Sequence, residues 1–121
     1  MARILVVDDS TLSRKISRQI LDGMGHEVLE AGDGIAALEC YFLEKPDLVL
    51  LDITMKGMNG IEVLSKLREM DAEARVVIAT ADVQRSTRTL TQEGGAKGFV
   101  SKPLMADEVM TAVDAALRGA Q

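Results

Sequence analysis

The chain has 121 residues, 47% of them hydrophobic and 27% charged, which suits one domain that buries roughly two-thirds of its unfolded surface. Lys and Arg number 14 against 19 Asp and Glu, a formal charge of −5, and aromatic residues are only 2%. Such a chain lacks both the cationic surface to follow a phosphate backbone or an anionic membrane and the rings to stack on bases.

One cysteine, Cys40, excludes an internal disulfide and a cysteine-based zinc site, and one histidine, His26, removes most catalytic triads. The apolar run Ile4–Val7 is too short for a signal-peptide core, and no run of about 18 apolar residues offers a membrane span. A soluble, reducing, cytoplasmic setting is expected. Chemistry is left to Asp, Glu, Lys, Ser and Thr.

In chain order, Ile4-Leu5-Val6-Val7 reads as a strand buried on both faces. Leu12, Ile16, Ile20 and Met24 then recur at every fourth position, with Asp9 or Ser10 as N-cap and Gly23 and Gly25 closing the helix. His26 to Ala31, around Val28-Leu29, is a poorer strand. Ala37, Leu38, Tyr41 and Phe42 make a second helical stripe that ends before Pro46, and Leu48-Val49-Leu50-Leu51 is the next strand. Ile61, Leu64, Leu67 and Met70 form a third stripe, opened by Asn59-Gly60, followed by the strand Val76-Val77-Ile78-Ala79. Val83 to Glu93 is rich in Thr, Arg and Ser, with Val83 and Leu90 its only strong apolar contacts. Gly98-Phe99-Val100 is a fifth strand. Leu104 to Arg118 is the last helix, turning Val109, Ala112, Val113, Ala116 and Leu117 inward. Strand-helix alternation five times over predicts an open parallel α/β sheet, with right-handed crossovers placing helices on both faces. Residues 1–121 read as one domain without linker or repeat.

The polar residues fall at informative places. Asp8 and Asp9 follow the first strand, Asp52 the third, Thr80 ends the fourth and Lys102 follows the fifth. Each alone is explained by a helix cap or a turn. Together they should converge, because the C-terminal ends of parallel strands share one edge, where open α/β folds bind ligands. Packed carboxylates repel unless a cation enters, and hard oxygen donors favour Mg²⁺. A lysine point charge and a threonine hydroxyl suit phosphoryl oxygens. The set describes a phosphoryl-transfer site with Asp52 as acceptor.

Those residues stand in segments that resemble the receiver domain of two-component response regulators: Val7-Asp8-Asp9-Ser10 with Arg14 following, Leu50-Leu51-Asp52-Ile53-Thr54-Met55, Met58-Asn59-Gly60, Ala79-Thr80-Ala81 and Gly95 to Pro103. The wording around Asp52 and Asn59 is most similar to stand-alone chemotaxis regulators of the CheY type. The resemblance implies a single flavodoxin-like domain with a five-stranded parallel sheet in the order 2-1-3-4-5 and five helices. It implies that Asp52 accepts a phosphoryl group from a histidine kinase of the CheA type. It implies that Mg²⁺ is held by the Asp9 and Asp52 carboxylates, by Asp8 through a bound water and by the Thr54 carbonyl, and that Thr80 and Lys102 contact the phosphoryl oxygens. It further implies that Phe99 switches with Thr80, that Lys102-Pro103 is cis, and that the output is binding to a partner such as a flagellar switch protein, with a phosphatase acting on the signal. The chain is then a monomer that catalyses nothing beyond its own phosphorylation and dephosphorylation. Lys56-Gly57 stands where many members carry Pro after the methionine. By spacing, Thr54 and Asp82 border the approach of the hydrolytic water and tune its rate.

Three other readings compete. A phosphorelay carrier would pass its phosphoryl group to a histidine phosphotransfer protein. A haloacid-dehalogenase-type phosphohydrolase would put its nucleophilic Asp after the first strand. A flavin-binding module would want hydroxyls and glycines where Asp8-Asp9 stand. Cys40 is expected as a packing residue, His26 as a solvated turn residue, and the methionines as adaptable packing, with Met55 and Met58 flanking the site where a partner surface could include them.

Overall fold

Five short runs, unbroken in Val, Leu and Ile at Leu48–Leu51, nearly so at Arg3–Val7 and Val76–Thr80, but mixed at Glu27–Ala31 and Gly98–Ser101, pair side by side into one sheet. The computed structural model describes residues 1–55, 57–81 and 84–118. Its strands are β1 (Arg3–Val7), β2 (Glu27–Ala31), β3 (Leu48–Leu51), β4 (Val76–Thr80) and β5 (Gly98–Ser101). They lie in the order β2-β1-β3-β4-β5, and every pair is parallel. This is the CheY-like flavodoxin fold. The helices are α1 (Thr11–Gly23), α2 (Gly34–Glu44), α3 (Gly60–Met70), α4 (Arg85–Glu93) and α5 (Ala106–Arg118).

Alternation along each strand divides the core into two layers. Leu5, Val7, Val49, Leu51, Val76 and Ile78 face α2 and α3, whose Ala37, Tyr41, Val63, Leu64 and Leu67 cover them. Ile4, Val6, Leu48, Leu50, Val77 and Ala79 face Leu21 of α1 and Val109, Val113 and Ala116 of α5. Every residue of β3 and β4 is buried, as central strands require, whereas the edge strands β2 and β5 are only partly covered. Ser10, Asp33 and Asn59 cap α1, α2 and α3, each accepting a backbone N–H three residues on. Gln84 gives α4 no side-chain cap bond. Among the described residues, no helix is long and apolar enough to cross a membrane.

The apolar stripe expected on α1 is corrected. Leu12 is 68% exposed and Ile16 is exposed as well, while Ser17 and Leu21 are buried. Positions four apart advance by more than one 3.6-residue turn, so this row drifts around the helix and reaches the core only at Ile20 and Met24. Phe42, Met70 and Leu90 are likewise exposed. In α4 the inward position belongs to Thr91, whose hydroxyl donates to the Arg88 carbonyl at 2.9 Å. His26 is also corrected: it is half-buried, and its Nδ1 accepts the Ala2 N–H at 3.0 Å.

Candidate functional site

Strand register sets the site. Val7 pairs with Leu51, and Leu51 with Ile78, so Asp8 and Asp52 leave adjacent strands at one level. The Asp52 N–H donates to the Val7 carbonyl at 2.9 Å, continuing the ladder one step past the strands. Thr80 pairs with Ser101, and the Lys102 N–H donates to the Thr80 carbonyl at 2.8 Å. The residue after β5 is thereby brought to the same edge. Lys102-Pro103 is cis, as the resemblance implies.

Asp8, Asp9 and Asp52 each place a carboxylate oxygen within 4.8 Å of the others. Asp8 and Asp52 are 3% and 7% exposed, whereas Asp9 is open to solvent. The Lys102 ammonium donates to Asp8 Oδ2 at 2.7 Å and to Asp52 Oδ2 at 3.2 Å. The other Asp52 oxygen, Oδ1, accepts the Thr54 N–H at 3.0 Å. Asp8 Oδ1 accepts the Ser10 N–H at 2.9 Å. Burial pushes the Asp52 carboxyl above its ordinary value, and the Thr54 N–H and the Lys102 charge offset only part of that. Burial would lower Lys102, but its hydrogen bond to Asp8 and the charge of Asp52 win and raise it. The ammonium therefore stays charged.

The donor set fits a hard divalent cation. Lys102 brings one positive charge to three converging carboxylates, and carboxylate oxygens are the ligands Mg²⁺ takes, one or two at a time with water completing the shell.

The residues expected from sequence are thus largely brought together. Asp8, Asp9, Asp52 and Lys102 form one cluster, Thr80 is fully buried at the end of β4, and Thr54 binds Asp52 through its backbone. Phe99 is half-buried on β5 beside the core layer of α2 and α3. Asp82, the second residue expected to tune hydrolysis, lies outside the described residues, as do Lys56 and Val83.

Three contacts at or near the site were not visible in the sequence pattern. A Cβ on Gly60 would lie 2.5 Å from the Asp52 carbonyl oxygen and 2.3 Å from Ile53 Cα, so only glycine lets α3 start this close to Asp52. Asn59-Gly60 signalled a helix start and a segment of the resemblance, but not this close approach. The Arg88 guanidinium stands 5.2 Å from the Phe99 ring centroid. Arg14 donates to the Asp8 carbonyl at 2.7 Å.

Comparison with known proteins agrees with this geometry. Residues 4–114 match the response regulator receiver domain. The chain is 41% identical to the chemotaxis protein CheY of Bacillus subtilis over 95% of this chain and 97% of that one. It is 36% identical to the sporulation initiation phosphotransferase F of the same organism, over 92% and 90%. It superposes with a TM-score of 0.88 and 36% identity on the CheX-CheY-BeF3-Mg complex from Borrelia burgdorferi, covering 92% of this chain and 85% of that one.

Proposed function

Because the chain belongs to the response regulator receiver domain family, we propose that it is a two-component response regulator that takes a phosphoryl group on Asp52 and changes its surface for a partner. The observation that carries this reading is the Lys102 ammonium set against Asp8 and Asp52 within a cluster of three carboxylates.

A carboxylate oxygen of Asp52 attacks the phosphorus of a kinase phosphohistidine. The new P–O bond forms as the P–N bond breaks, and the bonding pair leaves on the imidazole nitrogen, which takes a proton from solvent. Asp8, Asp9, Asp52 and the Thr54 carbonyl would hold Mg²⁺, which when bound would supply positive charge where the transferred oxygens gather negative charge. Lys102, already at Asp52 Oδ2, turns its ammonium to a phosphoryl oxygen. Thr80 offers its hydroxyl to another. Attack by water on the same phosphorus releases inorganic phosphate and frees the carboxylate, with Thr54 beside Asp52. No second substrate is turned over.

The added charge draws Thr80 and Lys102 toward Asp52, and Phe99 and α4 repack in response. The likeness to the CheY proteins supports a role in chemotaxis, with a CheA-type histidine kinase as donor and a flagellar switch protein or a CheX-like protein as partner. The likeness to sporulation initiation phosphotransferase F supports a second reading, a relay that hands the phosphoryl group to a histidine phosphotransfer protein. Incubating the labelled phosphoprotein separately with the two kinds of partner tests the choice. Retention of label with partner capture is expected for the regulator. Transfer of the label to a histidine identifies the relay.

A further inference from the structure

Asp8 and Asp9 are consecutive, so their side chains start from neighbouring Cα atoms, and the backbone of the β1–α1 loop decides whether both carboxylates reach one point with Asp52. Among the contacts that hold that loop, three set the backbone around Asp8. The Asp8 N–H donates to the Ala31 carbonyl at 3.2 Å, the Ser10 N–H to Asp8 Oδ1 at 2.9 Å, and Arg14 Nη1 to the Asp8 carbonyl at 2.7 Å. The third comes from a side chain one turn inside α1, and that side chain is held in its own right. Arg14 Nε donates to Glu30 Oε1 on β2 at 3.2 Å. The other Glu30 oxygen accepts from Arg18, whose Nε lies 3.7 Å from Asp22. Space for the guanidinium is provided by Gly32, where a Cβ would stand 3.2 Å from Arg14 Nη1.

We propose that Arg14 is a positioning residue for the cation-binding acids: its guanidinium, oriented by Glu30, braces the Asp8 carbonyl so that Asp8 and Asp9 converge with Asp52. A planar guanidinium fork holds its donors to a carboxylate and a carbonyl in rigid, fixed directions, whereas the donors of an ammonium rotate on a flexible stem. The inference rests on the reading of the cluster as a Mg²⁺ site. It also gives Arg14 an effect opposite in sign to that of its charge. As a cation near the site it opposes Mg²⁺, whereas as a brace it favours Mg²⁺. Removing it therefore tightens metal binding if only charge matters and weakens it if the brace matters.

The test titrates Mg²⁺ alone into the full chain, followed by the amide signals of Asp9 to Thr11, with metal-free melting and hydrogen exchange of residues 8–11 alongside. Arg14→Met and Arg14→Lys are expected to weaken Mg²⁺ binding roughly tenfold, the scale seen when a group orienting metal ligands is lost. Glu30→Gln shifts it in the same direction by less, and exchange in residues 8–11 rises in all three without metal. Arg14→Met binding Mg²⁺ as tightly as wild type, or more tightly, overturns the brace. Should that variant fail to fold, wild-type affinity in Arg14→Lys overturns it equally. A wild-type chain that shows no Mg²⁺ binding overturns the underlying reading of the site instead.

Discussion

Lys102 Nζ donates to Asp8 Oδ2 at 2.7 Å, joining two residues 94 positions apart in the chain. The bond closes the sheet edge, because Asp8 follows the central strand β1 and Lys102 follows the edge strand β5. It also places a compact positive charge against two carboxylates of the cluster, Asp8 and Asp52.

The carboxylate cluster is expected to make folding stability depend on Mg²⁺. Only the folded chain holds Asp8, Asp9 and Asp52 together, so Mg²⁺ at tenfold its dissociation constant should add about 1.4 kcal/mol. Thermal melting across a Mg²⁺ series is expected to show this rise. Asp9→Ala should remove most of it. A wild-type melting temperature that does not respond to Mg²⁺ would contradict the site.

Gly60 is a second point of leverage on the acceptor. A methyl there meets Ile53 Cα at 2.3 Å, and backbone on both sides has little room to give. Gly60→Ala should cost about 1–3 kcal/mol by overpacking, in spite of alanine's better helix propensity. Denaturant unfolding checks the cost, and slower phosphorylation of Asp52 should accompany it. Unchanged stability would mean that the α3 start relaxes away from β3.

Far from the acceptor, the Tyr41 hydroxyl donates to Asp71 Oδ2 at 2.8 Å. That bond, with the Glu73 N–H, holds the Asp71 carboxyl below its ordinary value of 3.8, while burial first and then Asp71 raise the Tyr41 phenol. A carboxyl lowered by folding contributes stability that is present above its unfolded value and lost as pH falls through the folded one. Tyr41→Phe should therefore be less stable than wild type at neutral pH, and the gap should narrow below the carboxylate range. Carbon-detected NMR titration of Asp71 should show its midpoint moving up in the variant. No movement would remove Tyr41 as the cause.

Arg88 links α4 to the aromatic on β5. Its guanidinium over Phe99 is worth about 0.5–1 kcal/mol at an exposed position. Arg88→Ala should free the Phe99 ring, seen as averaged ring signals in the unphosphorylated protein. Ring signals identical to wild type would leave the contact without consequence.

Much of this was legible in the sequence, and the misses have physical causes. β3 and β4 were readable because strands buried on both faces leave unbroken apolar runs, and Asp8, Asp52 and Lys102 because parallel strands send their C-terminal ends to one edge. The exposure of Leu12 and Ile16 was missed because spacing by four looks like a stripe but drifts around the helix, and Leu21, fully buried, lies off that row. Thr91 carries no apolar signal although it is buried in α4. Arg14 to Asp8 and Gly60 to Asp52 are contacts with backbone carbonyls, which no side-chain pattern reveals.

The central claim is that Asp52 accepts a phosphoryl group with Mg²⁺. Intact-protein mass spectrometry after exposure to acetyl phosphate and Mg²⁺ tests it most directly, with peptide mapping to place the adduct. Wild type should gain the mass of one phosphoryl group at Asp52, lose it when Mg²⁺ is chelated before the donor is added, and show none in Asp52→Asn. An adduct of equal yield in Asp52→Asn, or no adduct in wild type, would contradict the account.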